Sequence, residues 1–134
     1  MITNDIAQAV TALASGKLCA IPTETVYGLA ANALDESAVA RVFAAKERPA
    51  DHPLIVHVAT ASDVSEWITE LPQWAVDLTN VVWPGPLTIV GPRTALASNS
   101  VTGNQDTVAV RVPSHPIAQE LLQQLKANGV KGVV

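Results

Sequence analysis

The stretch TVAVRV, residues 107–112, alternates strictly. As a β-strand it points Val108, Val110 and Val112 to one side and Thr107, Ala109 and Arg111 to the other. The first side is a core face. The second is small and polar around one guanidinium, and reads as the floor of a pocket. A guanidinium in that position needs an anion. Either a ligand's carboxylate is gripped by both arms of the fork, or an Asp or Glu of the chain forms an internal salt bridge.

Outward from this strand, apolar runs and helical periodicities alternate. Residues 4–15 suit a helix capped by Asn4 or Asp5 and stopped at Gly16, and residues 17–22 suit a strand. A helix fits Asp35 to Lys46, with Asp35 as N-cap and Val39, Val42 and Phe43 inward, and Pro49 ends it. PLIVHV (53–58) is a strand, and Asp63–Ile68 a short helix. Pro72 opens another helix, with Trp74, Leu78 and Val81 or Val82 facing in. PLTIVG (86–91) is a strand, and residues 92–106 form one long polar loop. Ser114 caps a helix running to Asn128, with Ile117, Leu121, Leu122 and Leu125 apolar and Gly129 just past its end. VKGVV then begins a strand. The expected class is α/β (α+β), a twisted mixed sheet flanked by helices. The stop on Val133 and Val134 reads as a cut inside an element, or else as a short edge strand.

The chain has 134 residues, which suits one domain with a real core. Eight basic against 12 acidic residues give a net charge of −4, which argues against a general nucleic-acid coat. No apolar run reaches the roughly 20 residues of a membrane span, and the first residues lack the pattern of a signal peptide. The single Cys19 sits in an apolar run and reads as a buried thiol in a reducing, cytoplasmic protein.

With so few cations, their placement is informative. Arg41, Lys46 and Arg48 cluster. Lys46 and Arg48, two apart on a turn braced by Pro49, suit one polyphosphate, and they equally suit a solvated helix C-terminus. Thr23, Glu24, Thr25 and Tyr27 follow the apolar run Leu18–Ile21, and Gly28 lets a ligand come close to the backbone. His57 lies within a strand, as a ligand contact or as a satisfied core residue. WPGPLT (83–88) is a rigid turn leading into a strand. His52, His57 and His115 lack metal-ligand spacing, and no glycine-rich phosphate loop or nucleophile elbow occurs.

Taken in order, PTETVYGLAANA, KERPADHPLIVHV, WPGPLTIV and TVAVRVPSHPIAQELL resemble the YrdC-like threonylcarbamoyl-adenylate synthases, from about residue 5 to the end. The resemblance implies a YrdC-like fold with a concave ligand cavity. It implies condensation of L-threonine, bicarbonate and ATP, with Mg²⁺, to threonylcarbamoyl-AMP and pyrophosphate. A partner complex then passes the threonylcarbamoyl group to an adenosine of tRNA. It further implies that Thr23, Tyr27, His57 and Arg111 bind threonine, with Arg111 on its carboxylate. Lys46, Arg48 and Thr107 would serve the nucleotide, and Thr88 is a weaker candidate. No residue is expected to be a general base or a metal ligand.

The family pattern continues past KGVV with a Ser-x-Asn motif. Residues 1–134 are therefore expected to be one YrdC-like domain, incomplete at its C-terminus, with an exposed edge suited to a homodimer. Two other readings remain. One is an inactive module that binds nucleotide or double-stranded RNA. The other is the carbamoyl-adenylating module of hydrogenase maturation proteins, which usually has cysteine-rich companions. Under the synthase reading, Arg111→Ala weakens threonine binding more than ATP binding, and Lys46→Ala does the reverse. Titration calorimetry with each ligand checks this, and a loss of stability alone in both variants would make the residues structural.

Overall fold

In a computed structural model, residues 4–134 are described. The elements run α1 (Ile6–Ala14), β1 (Cys19–Pro22), β2 (Tyr27–Ala30), α2 (Glu36–Lys46), β3 (Ile55–His57), a 3₁₀ helix (Ala61–Glu66), α3 (Gln73–Val82), β4 (Thr88–Pro92), α4 (Asn99–Thr102), β5 (Thr107–Arg111) and α5 (Pro116–Ala127). No helix among the described residues is long and apolar enough to cross a membrane.

Local chemistry accounts for most boundaries. Asp5 accepts from the Ala7 N–H to start α1, and Asp35 accepts from Ser37 and Ala38 to start α2. Gly16, at φ 80°, turns the chain out of α1. α2 ends on Glu47, a non-glycine residue at φ 53°, with the Arg48 N–H reaching back to the Phe43 carbonyl. Arg41 leaves the expected cation cluster, because its Nη2 donates to the Gly16 carbonyl and ties α2 to the α1–β1 turn.

β1 and β2 form an antiparallel hairpin, and β3, β5 and β4 a mixed three-stranded sheet, β3–β5 parallel and β5–β4 antiparallel. The terminal segment joins them. Val133 pairs with Asn32 on one side and His57 on the other. The Val133 N–H donates to the His57 carbonyl and the His57 N–H to that of Val133, while Ala31 and Val134 exchange both bonds across the other edge. The backbone thus runs continuously from β1 through β2, residues 132–134, β3 and β5 to β4.

Each face of this surface has its own apolar cluster. On one face Val56, Val108, Val110 and Val112 pack with Val39, Phe43, Trp67 and Trp83. On the other, α1 and α5 lay Leu13, Leu121, Leu122 and Leu125 over Ile21, Ala30 and Val133. They cover the hairpin half of that face. The half built by β3, β5 and β4 stays open, with Val90 64% exposed. The expected alternation of 107–112 is what the structure has.

Four expectations need correction. Trp74, Leu78 and Val81 are exposed, and α3 turns Ala75 and Thr79 inward instead. Two stripes one residue apart carry the same period, and the smaller side chains let the helix approach closely. Ile117 is 46% exposed, at the first turn of α5. The loop 92–106 contains α4 and is knit by Arg93, whose guanidinium donates to the Ala97 carbonyl, Thr102 Oγ1 and Asn99 Oδ1. The helix after Ser114 is capped by His115, one residue later.

A Cβ on Gly132 would stand 2.9 Å from Val56 Cγ1 and 3.2 Å from both the His57 carbonyl and Trp67. Gly132→Ala should therefore lower the unfolding free energy by about 1–3 kcal/mol, read from urea midpoints.

Candidate functional site

The open half of the sheet sets side chains in a row. Parallel pairing of β3 with β5 puts His57 directly beside Arg111, and antiparallel pairing of β4 puts Thr88 on the other side. All three are half-buried. The Arg111 Nε–H donates to Thr88 Oγ1 at 2.9 Å. No carboxylate among the described residues pairs with Arg111; the ion pairs are Lys126–Asp63 and Lys131–Glu66. The internal salt bridge weighed above is absent from these residues. The two terminal nitrogens of a guanidinium oriented at Nε remain for a bidentate acceptor.

His57 Nδ1 lies 3.1 Å from the Ile55 carbonyl. A carbonyl only accepts, so Nδ1 carries the hydrogen. Burial, then the charge of Arg111, lower the His57 pKa from its ordinary 6.5; the Ile55 carbonyl and Glu24 pull the other way. The ring is therefore neutral near pH 7, and its Nε2 lone pair can accept from a ligand N–H or O–H beside the guanidinium.

The segment after Ile21 is a hairpin turn, since Pro22 pairs with Tyr27. Thr23 spends its hydroxyl within that turn, donating to the Val26 carbonyl at 2.6 Å. Tyr27 is 76% exposed and lines a groove of about 200 Å³ with Ile6, Pro22 and Ile117. Glu24 reaches across to the turn after β5, where it accepts from both the N–H and the hydroxyl of Ser114. Burial works against its charge, but these bonds outweigh it and hold the carboxyl below its ordinary value.

Lys46 and Arg48 flank the left-handed Glu47 and are exposed. Neither forms an ion pair among the described residues. Among the described residues, no hydrogen bond links them to the His57–Arg111 row. Thr107 shares the open face with Arg111 but opens the strand, opposite Pro92, about 13 Å away at the rise of a strand. The structure thus gathers His57, Arg111 and Thr88, ties the hairpin to their end of the sheet through Glu24, and sets Thr107 at the far end of β5. Glu24 and Ser114 were missed as partners because 90 residues separate them, and no local pattern joins them.

The described residues hold no group of three or more His, Cys, Asp or Glu side chains able to cage a metal. Magnesium often binds through substrate phosphates and water with few protein ligands.

Comparison with known proteins follows the same lines. Residues 11–130 match the Sua5/YciO/YrdC family, described as telomere recombination. A threonylcarbamoyl-AMP synthase of Pyrococcus abyssi is 54% identical over 108 residues, covering 81% of this chain and 32% of that protein. One of Bacillus subtilis is 44% identical over 125 residues, covering 91% and 36%. The crystal structure of P. abyssi Sua5 complexed with L-threonine superposes with a TM-score of 0.89 at 47% identity, over 96% of this chain and 36% of that one. The chain thus spans about a third of the length of these relatives.

The lowered His57 pKa carries a sign. Just below pH 6.5 the unfolded chain binds the His57 proton and the folded chain does not, so acidification favours unfolding. Stability should fall from pH 7 to pH 5 by this route, and His57→Gln should flatten that slope in urea titrations. The depressed carboxyls of Glu24, Asp35 and Asp63 add their losses only as the pH falls below their ordinary values of 4.5 and 3.8.

Proposed function

The chain belongs to the Sua5/YciO/YrdC family, and from that premise we propose that it acts in making threonylcarbamoyl-AMP from L-threonine, bicarbonate and ATP. The observation that carries this is Arg111. It is a half-buried guanidinium on an open sheet face, oriented through Nε by Thr88 and left without a carboxylate partner among the described residues. A relative solved with L-threonine shares 47% of the sequence and the same fold.

In this reading the two terminal nitrogens of Arg111 clamp the threonine carboxylate. Neutral His57 accepts through Nε2 from the threonine hydroxyl or amine. Clamped this way, the neutral amine adds to the bicarbonate carbon and water leaves. A carbamate oxygen then bonds to the α-phosphorus as the bond to pyrophosphate breaks. Two groups held in place gain most from proximity, and the rest is neutralisation of charge on the departing pyrophosphate. Lys46 and Arg48 would supply that as a cation pair on an exposed turn. Magnesium, when it arrives with ATP, adds further charge neutralisation at the phosphates. Thr23 and Tyr27 would form a pocket wall from the hairpin, and Thr107 would stand at the far end of the same face of β5.

The product is a mixed anhydride, reactive towards amines, so an acyl transfer to an adenosine of tRNA in the cytoplasm is the step that would consume it. The test is pyrophosphate release by the folded 134-residue chain with ATP, Mg²⁺ and bicarbonate, with and without L-threonine, and a mass measurement for the adenylate. Threonine-dependent release with the adenylate mass is expected. A folded sample that yields neither removes the activity from this chain.

A further inference from the structure

The β1–β2 hairpin has few means of holding its tip. Its last pair is Pro22 with Tyr27, and proline brings no N–H to the ladder. Residues 24–27 are exposed. The bonds of Thr23 stay within the turn, to Val26 and Thr25. Among the described residues the tip reaches another element through Glu24, whose carboxylate accepts from Ser114 and from the backbone N–H of His115.

Ser114 is well anchored. The Gly85 N–H donates to the Val112 carbonyl at 2.8 Å, and Gln119 Nε2 to the Pro113 carbonyl at 2.6 Å. This turn follows Arg111 by three residues. Glu24 is close enough to His57 for its charge to favour the ring's protonation. The Glu24 carboxylate therefore sits at the end of the open face where His57 and Arg111 stand.

We propose that Glu24 is a positioning residue, a latch whose carboxylate holds the Thr23–Tyr27 tip on Ser114 and so keeps the hairpin closed beside the His57–Arg111 pair. Two donors, one a backbone N–H, meet one carboxylate oxygen, and bonds to a charged acceptor are the stronger kind. The tip then forms a wall for whatever Arg111 holds. The effect on threonine rests on the function proposed above; the latch itself does not.

Tyr27 is the only tyrosine of the chain, so 3-fluorotyrosine gives one ¹⁹F resonance beside the loop. Glu24→Ala should move that resonance toward its position in the urea-unfolded chain and weaken L-threonine binding about tenfold, equivalent to about 1.4 kcal/mol. Glu24→Gln keeps an acceptor for both Ser114 donors and should restore the resonance and most of the affinity. An unmoved resonance in Glu24→Ala overturns the latch, and if affinity falls all the same, Glu24 touches the ligand itself. A moved resonance with unchanged threonine affinity overturns the positioning role. If the resonance moves and even the unaltered chain binds no threonine, the latch stands and the proposed substrate falls.

Discussion

Everything in this fold hangs on the double pairing of Val133. One extended residue exchanges backbone bonds with His57 on one side and lies against Asn32 on the other, with Ala31, Ala33, Gly132 and Val134 continuing the ladder. Five backbone hydrogen bonds join the segment to its neighbours. At a net worth of about 1 kcal/mol each, they are comparable to the whole stability of a small domain, about 5–15 kcal/mol. Without them the hairpin and the three-stranded sheet would be two pieces, and a two-stranded hairpin is marginal by itself. Gly132 is the tight point of this join, because Val56 and Trp67 close over it.

The same pairing explains why the site is where it is. With the two sheets fused, α1 and α5 have enough to cover only the hairpin and Val133. The face carrying His57, Arg111 and Thr88 is left open, while its reverse is filled by the valines of β5. A polar row is therefore displayed on a rigid floor, and its members are spaced by strand pairing rather than by loop geometry. The neutral state of His57 follows from that floor, since burial and an adjacent guanidinium both oppose a second charge. The hairpin tip is tied at Glu24 to the turn after β5, at the same end of the sheet as Arg111.

Local rules read α2 well. Asp35 capped it and Val39, Val42 and Phe43 turned inward, because a cap and a dominant apolar stripe agree there. They failed on α3, where Trp74, Leu78 and Val81 have the right period and face solvent. Periodicity states that a stripe exists, and a neighbouring stripe of small residues can still win the contact. The polar stretch 92–106 looked like a plain loop for a related reason. Arg93 organises it through three acceptors up to nine residues away, and nothing in a polar composition marks which residue will be the hub.

By itself the sequence determined the alternation of strands and helices, the two faces of 107–112, and the family to which four ordered strings belong. These depend on side-chain period, caps and glycine or proline, all of which act within a few residues. Only the tertiary structure decided that Arg111 is steadied by Thr88 rather than by a carboxylate, that Arg41 is structural, that the residues after Ile21 make a hairpin, and that Glu24 meets Ser114. Each of those is a contact between segments 23 to 90 residues apart, or between neighbouring strands whose order no local pattern encodes. Register and burial choose among the partners that a polar side chain can accept, and both exist only once the chain has folded.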